Sequence, residues 1–348
     1  MALRSNVERK AGVSRNSVQA PAAGFPRGPA LPNMSRPRSH VGAVKCIACG
    51  GGQIAQYLRA PDRYHGRQDV YQLVQCSGCS LVWLENAPTA QQMSAHYGPF
   101  YDRSVASAGR DPRRWRDRCG VVTLYKSGGA ILDLGCSSGG FLAELDHGPW
   151  DKYGIEMSEK VANDARARTG AQVFVGDVLE APFAPDTFDV ITCFHVFEHM
   201  FQPREVLAKV REWLKPGGVF YTMMPNIDSA GSRIFKSYWY ALELPRHLFH
   251  FSPRSLRALA GSVGLEEVSV RTGREVFIEA SVRYIIDDVC RLAGFRRTPL
   301  AEAPAPGLPF RVVRKAFRIS ILPILNGFAS LAGDGESIHA IFRKPATR

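Results

Sequence analysis

The 348-residue sequence predicts an α/β fold, a largely parallel sheet with helices on both faces, preceded by a small cysteine-bound module. Three observations predict it. Over residues 130–275 short apolar runs alternate with amphipathic stretches, the pattern of a parallel sheet covered on both sides. The run Ile131-Leu-Asp-Leu-Gly-Cys-Ser-Ser-Gly-Gly-Phe141 passes from an apolar strand through a turn of small residues into a helix start. Two C-x-x-C pairs, Cys46/Cys49 and Cys76/Cys79, stand ahead of both.

In chain order, residues 1–44 are rich in Pro, Arg, Ser, Gly and Ala with few aromatics, which predicts a disordered tail. Their Arg-rich, acid-poor character also suits a transit peptide. Residues 45–85 form the cysteine module, and 86–129 a linker and helical lead-in. Within the core at 130–275, strands are expected at 130–134, 152–156, 172–175, 188–194, 217–224 and 265–270. Helices are expected near 139–147, 158–169, 203–214 and 253–263. A helical insertion follows at 276–335, with amphipathic runs near 276–294 and 310–331. A last strand at 337–343 lies in the closing segment, 336–348.

The paired C-x-x-C turns can bring four thiolates into a tetrahedron, which suits structural zinc and leaves no open position for catalysis. An iron–sulfur site or a redox pair is the alternative. Cys119, Cys136, Cys193 and Cys290 lack partner spacing and are expected to be buried core thiols.

Charge narrows the function classes. The net charge of +12 comes from the ends, since 1–45 hold eight Lys/Arg against one acid and 283–348 hold eleven against five. The stretch 46–282 holds 25 against 26. A polyanion-binding cleft carries its basic residues near the site, so nucleic acid is disfavoured and anionic lipid surfaces stay open. No run reaches the roughly 20 apolar residues of a membrane span, and the N-terminus lacks the compact apolar stretch of a secretory signal. A cytoplasmic location is expected.

The turn after residue 134 needs small residues because a ligand there approaches the backbone closely. Gly135-x-Ser137-x-x-Gly140 lacks the middle glycine of the dinucleotide fingerprint, which disfavours a dehydrogenase. Glu156 ends the next strand, where an acid can accept from both ribose hydroxyls. Asp177, in Gly176-Asp177-Val178 after the third strand, could take an adenine amino group.

Together Asp133-Leu-Gly-Cys-Ser-Ser-Gly139, Glu156, Asp177, Phe188-Asp-Val-Ile-Thr-Cys-Phe-His195 and Leu214-Lys-Pro-Gly-Gly218 resemble the successive motifs of class I S-adenosylmethionine-dependent methyltransferases. The resemblance implies a Rossmann-like doubly wound sheet of about seven strands, the last antiparallel, and S-adenosyl-L-methionine as cofactor. It implies that Asp133, Gly135, Ser137 and Gly139 line the methionine side, with Cys136 and Phe194 in the same cofactor-contacting set. Glu156 would hold the ribose, Met157 pack the adenine, and Asp177 with Val178 read its edge. Ser137 departs from the glycine that many relatives carry.

Ligands of such sheets bind beyond the carboxyl ends of strands, so His195, opening His-Val-Phe-Glu-His, should face the transferable methyl. Leu244-Pro-Arg-His-Leu-Phe-His-Phe-Ser252 adds His247 and His250, with Ser252 as helix N-cap. Methyl transfer needs a held acceptor and a proton acceptor, and His195, His199 and His247 are the candidates, beside Glu198. The plainer alternative for each histidine is a capping or packing role. His195-x-x-Glu198-His199 with His247 also resembles the Glu-x-x-Glu-His…His magnesium site of small-RNA terminal 2′-O-methyltransferases, and clusters in quinone O-methyltransferases. With histidine replacing the first Glu, a second divalent ion at His195, Glu198, His199 and His247 would be zinc, iron or manganese.

A zinc ribbon ahead of such a domain is similar to bacterial sugar C-methyltransferases. That implies a small-molecule substrate, a sugar or a polysaccharide or lipid precursor, methylated at carbon or oxygen. The basic, apolar stretch 311–332 reads as a membrane-surface helix, or as a lid or homodimer helix. A ribosomal RNA methyltransferase with a zinc module, and a non-catalytic cofactor-binding scaffold, are the competing readings.

Overall fold

The computed structural model describes residues 45–97, 112–273, 277–294, 298 and 335–346. The expectations for 1–44 and for 310–331 lie outside the described residues. In chain order the strands are β1 (Ile54–Pro61), β2 (Val70–Cys76), β3 (Val82–Leu84), β4 (Gly129–Leu134), β5 (Trp150–Glu156), β6 (Gln172–Val175), β7 (Phe188–Phe194), β8 (Leu214–Pro225), β9 (Phe249–His250), β10 (Glu266–Gly273) and β11 (Ser337–Arg343). The helices are α1 (Ala90–Met93), α2 (Pro112–Thr123), α3 (Gly140–Ala143), α4 (Glu159–Thr169), α5 (Pro203–Trp213), α6 (Ala230–Phe235), α7 (Pro253–Ser262) and α8 (Ile278–Leu292).

Seven strands form one sheet in the order β10-β11-β8-β7-β4-β5-β6. The pairs β4–β5, β4–β7, β5–β6 and β7–β8 are parallel, while β11 runs antiparallel between β8 and β10. Strand order reverses at β4, so the carboxyl ends of β4, β5 and β7 open on a common crevice. The inner strands are apolar almost throughout because helices cover both faces; Leu132, Ile191, Phe220 and Ile338 are fully buried.

Helix starts follow capping chemistry. Ser158 accepts from the Val161 backbone at the head of α4, and Ser252 forms a capping box with Ser255 ahead of α7, as expected for that residue. The turn helix α3 is shorter than expected, because after Ala143 the chain tightens into turns in which Leu145 and Gly148 donate to Leu142 and Leu145. Cys119, Cys136 and Cys193 are buried as expected, but Cys290 on α8 is only half-buried. No helix among the described residues is long and apolar enough to cross a membrane.

The cysteine module is welded to the large domain. Its sheet runs β1-β2-β3-β9, and β9 comes from the chain just before α7. Val82 pairs with His250 and Trp83 with Phe249, and the Leu84 backbone donates to the Leu248 carbonyl at 2.9 Å. One apolar cluster runs from Cys46, Ala48 and Leu81 to Phe197, Phe251 and Leu256. Burial of that seam holds the module against the core.

Candidate active site

On one side of the crevice lies the turn after β4. Gly135 adopts φ +68°, and a Cβ there would come within 2.5 Å of a Val196 methyl. Gly139, at φ +73°, starts α3 where a Cβ would meet the Thr169 methyl at 2.7 Å. Both positions therefore require glycine. Ser137 also takes positive φ, +50°. Its N–H donates to Glu156 Oε2 at 3.1 Å, while the Ser158 N–H donates to Oε1 at 3.0 Å. The carboxylate ending β5 is thus held against the turn, and burial pushes it above the usual range. Cys136 points its sulfur into the core, where a Cβ on Gly154 would meet it at 2.5 Å, so only its backbone belongs to the turn.

Asp133 is buried and accepts from the Thr192 hydroxyl at 2.7 Å. Burial pushes it up to about 7. Phe194 packs edge-on against Phe141 and Tyr221, each at 5.1 Å. The Gly176 N–H donates to the Glu156 carbonyl at 3.1 Å, which brings the β6 end beside that of β5. Asp177 is exposed and caps the following turn by accepting from the Leu179 N–H at 2.8 Å, and Met157 is 65% exposed. Both are accessible to a bound nucleoside.

One residue here escaped the sequence reading. Arg118 of α2 is buried, its guanidinium 4.7 Å from the Trp115 ring and 4.6 Å from that of Phe194, and it counters part of the burial cost of Asp133. The available signal was the i, i+3 spacing of Trp115 and Arg118 inside a charged run.

Opposite the turn, β7 ends in a strained residue. His195 holds φ +56°, a conformation costly for a side chain without glycine's freedom, fixed by its N–H donating to the Met223 carbonyl at 2.8 Å. Its Nδ1 lies 3.8 Å from Glu198 Oε1. Glu198 is 2% exposed, and neither carboxylate oxygen has a hydrogen-bond partner among the described residues. Burial raises its pKa.

Two further imidazoles complete this side in opposite states. His199 Nδ1 faces the Arg246 carbonyl at 3.0 Å and the Tyr97 hydroxyl at 3.3 Å. Nδ1–H donating to the carbonyl leaves the lone pair on Nε2. Burial and the charge of His247 push His199 down to about 3. His247 presents Nδ1 to the Ala241 carbonyl at 2.8 Å and Nε2 to Glu243 Oε2 at 2.8 Å. Both partners are acceptors, so the ring satisfies them as a double donor. Burial opposes the charged ring, yet the Glu243 carboxylate outweighs it and raises the pKa. Glu243 also pairs with Arg246 and itself holds φ +42°. The Arg246 guanidinium lies 4.2 Å from the Tyr64 ring. His250 serves structure, its Nε2 donating to the Leu242 carbonyl at 3.1 Å.

Glu243, Arg246, Tyr64 and Tyr97 were not singled out as site residues from sequence, because Tyr64 of the module and Tyr97 of the following linker reach this side only through tertiary contacts.

Two metal expectations can be tested on the donors. The sulfurs of Cys46 and Cys79 are 3.5 Å apart and those of Cys49 and Cys76 3.6 Å. Zn–S bonds of about 2.3 Å require tetrahedral sulfurs about 3.8 Å apart, so the four thiols fit one zinc ion. Glu198, His199 and His247 also bring donor atoms within 4.8 Å of one another, without His195. As arranged, however, His247 spends both nitrogens on Ala241 and Glu243, leaving a divalent ion one carboxylate and one imidazole. That donor set does not fit the four-ligand site.

Residues 101–270 match the family described as "Methyltransferase domain". The chain is 28% identical over 215 residues to a ubiquinone biosynthesis O-methyltransferase of Azoarcus sp., covering 59% of this chain and 77% of that protein. It is 29% identical over 154 residues to the mitochondrial enzyme of that description from Schizosaccharomyces pombe, covering 41% and 53%. Among solved structures, an S-adenosylmethionine-dependent methyltransferase from Thermotoga maritima is similar with a TM-score of 0.45 and 18% identity, covering 70% of this chain and 98% of that one.

Proposed function

The chain carries a class I S-adenosylmethionine-dependent methyltransferase domain, and on that premise we propose that it methylates a hydroxyl group of a small molecule. One observation carries the proposal. Val196 packs on Gly135, which lays the His195–His199 segment directly against the cofactor turn.

The bound cofactor supplies a sulfonium methyl for in-line attack. Glycines 135 and 139 give backbone access for its amino-acid portion, with Arg118 and Asp133 offering opposite charges for the carboxylate and ammonium. Glu156, each of whose oxygens keeps a second lone pair beside its backbone N–H partner, would accept from the ribose hydroxyls, and Asp177 with Val178 and Met157 would flank the base. On the acceptor side, His195 takes the hydroxyl proton as the oxygen attacks, and the buried Glu198 carboxylate beside it stabilises the resulting imidazolium. His199 stays neutral with Nε2 as a second acceptor, while the His247–Glu243–Arg246 group fixes the wall behind it. Cys46, Cys49, Cys76 and Cys79 hold structural zinc.

A hydroxyl acceptor is supported by the curated relatives, named as O-methyltransferases. The Tyr- and Arg-rich wall suits a sugar or a phenol. The test is transfer of labelled methyl from the cofactor to nucleotide-sugars, lipid-linked phenols and ribosomal RNA in parallel. Transfer to the first or second is expected. Transfer to RNA alone would replace this reading, and calorimetry with no uptake of the cofactor or its demethylated product would end it.

A further inference from the structure

A second group of metal-type donors lies in the N-terminal module, remote in chemistry from the four cysteines. Asp62 follows β1 in the turn toward β2, and its side chain is fully buried. The His65 backbone N–H donates to Asp62 Oδ1 at 3.0 Å, which fixes the carboxylate. Asp62 Oδ2 lies 2.9 Å from His65 Nδ1 and 3.3 Å from His96 Nδ1, and the three donor atoms fall within 4.8 Å of one another. His96 belongs to the 3-10 turn Ser94–His96 and is buried, while His65 is partly open to solvent.

We infer that Asp62, His65 and His96 form a binding site for a divalent transition-metal ion, zinc being the probe of choice. Metal–oxygen and metal–nitrogen bonds of about 2.0–2.2 Å place neighbouring donors about 2.8–3.6 Å apart in tetrahedral or octahedral geometry. Both distances from Asp62 fall in that window. One carboxylate with two imidazoles suits zinc, iron(II) or cobalt better than magnesium or calcium.

The nearest competing cation does not occupy the donor direction. Arg67 Nη1 is 3.2 Å from His96 Nδ1 and 3.5 Å from its Nε2, with Nη2 tied to the Ala95 carbonyl at 3.0 Å. Near-equal distances to both ring nitrogens put the guanidinium over the face of the imidazole. His96 Nδ1 remains within 3.3 Å of Asp62 Oδ2.

The ion would staple the β1–β2 turn to the residue that precedes Tyr97, whose hydroxyl reaches His199. Its role is therefore structural, with its effect delivered to the acceptor wall.

The experiment is zinc-edge X-ray absorption on the full-length chain loaded with zinc and desalted, with metal content measured alongside. Two zinc ions per chain are expected, with nitrogen or oxygen neighbours at about 2.0 Å beside sulfur at about 2.3 Å. His65→Ala, at a partly exposed position and with its fold checked by circular dichroism, should lose one equivalent and the nitrogen–oxygen shell while keeping the sulfur shell. A spectrum of sulfur alone in the unaltered chain overturns the site, as does unchanged zinc content in His65→Ala. Failure of the four-cysteine assignment gives the opposite signature, a nitrogen–oxygen shell without sulfur.

Discussion

The two sides of the crevice are built in different ways. Apart from Arg118 of α2 and Phe194 of β7, the cofactor side comes from three consecutive strand–turn units between residues 129 and 180, each functional residue at or just past the end of its own strand. The acceptor side gathers Tyr64 from the module, Tyr97 from the linker after it, His195–His199 after β7, and Glu243–His247 before β9. Local geometry makes the first side; tertiary seams make the second. Changes on the first should therefore act mainly on cofactor affinity, and changes on the second on turnover with cofactor affinity kept.

The sharpest test of that division is Gly135→Ala, because Gly135 touches both sides. The substitution forces a side chain into left-handed backbone and against Val196, a β-branched residue with little rotamer freedom. Cofactor affinity should fall by about 100-fold, which is about 2.7 kcal/mol, read by calorimetry with the demethylated product. Retained affinity together with lost turnover would mean that Val196 and His195, rather than the turn, yield to the clash.

Removing the zinc ligands probes the other side. Cys46→Ser combined with Cys79→Ser should lose the sulfur-bound zinc and cut methyl transfer by about 50-fold, because β3 loses its support and its partner β9 carries His250 and follows the Leu248 backbone that bonds Glu198. Cofactor affinity should change by less than about threefold. Equal losses in both would show that the shared apolar seam makes one folding unit of module and core, and the division into two sides would fail.

This division also explains what was legible in the sequence. Strand positions in the core, the turn, Glu156, Asp177 and the four cysteines follow from short-range patterns, whereas β1, β2, β3 and β9 of the module sheet had no strand expectation. The antiparallel β11 between β8 and β10 required the resemblance, since no local pattern reveals an insertion of a late strand. His195, His199 and His247 were legible as residue types, but not their states, which depend on carbonyls of Ala241 and Arg246 and on Glu243. Arg118 was hidden in a basic run where its charge suggested solvent, although the stack on Trp115 and Phe194 pays for burial. Asp62, His65 and His96 were invisible because no spacing links a turn at 62–65 to position 96.

A smaller effect should follow from Glu243→Gln. Arg246 and His247 hold this carboxylate well below the ordinary glutamate range despite its burial. A depressed native pKa contributes stability that is present above the ordinary value near 4.5 and is lost as pH falls below it. The unaltered protein should lose stability over that acid window, and Glu243→Gln should show a flatter profile in thermal melts from pH 3 to 7. Turnover should drop about 10-fold, as His247 and Arg246 lose their charged partner and the wall behind His199 loosens. A variant with the original acid profile would exclude the ionic group as the source of that pH dependence.

The mildest change is Tyr97→Phe, and its small size is itself informative. His199 Nδ1 has one proton to give and the Arg246 carbonyl is the nearer acceptor, at 3.0 Å against 3.3 Å for the Tyr97 hydroxyl. Deleting the hydroxyl therefore leaves the tautomer of His199 intact and removes only a secondary contact, which as a neutral hydrogen bond is worth about 0.5–1.5 kcal/mol. Acceptor KM should rise about threefold with kcat and cofactor affinity unchanged, measured by steady-state kinetics. A fall in kcat beyond about 30-fold would instead place the tyrosine hydroxyl in contact with the reacting oxygen. The segment leading out of the module would then supply a group to the chemistry itself, and the acceptor side would be shared between that segment and the core at the level of the reaction.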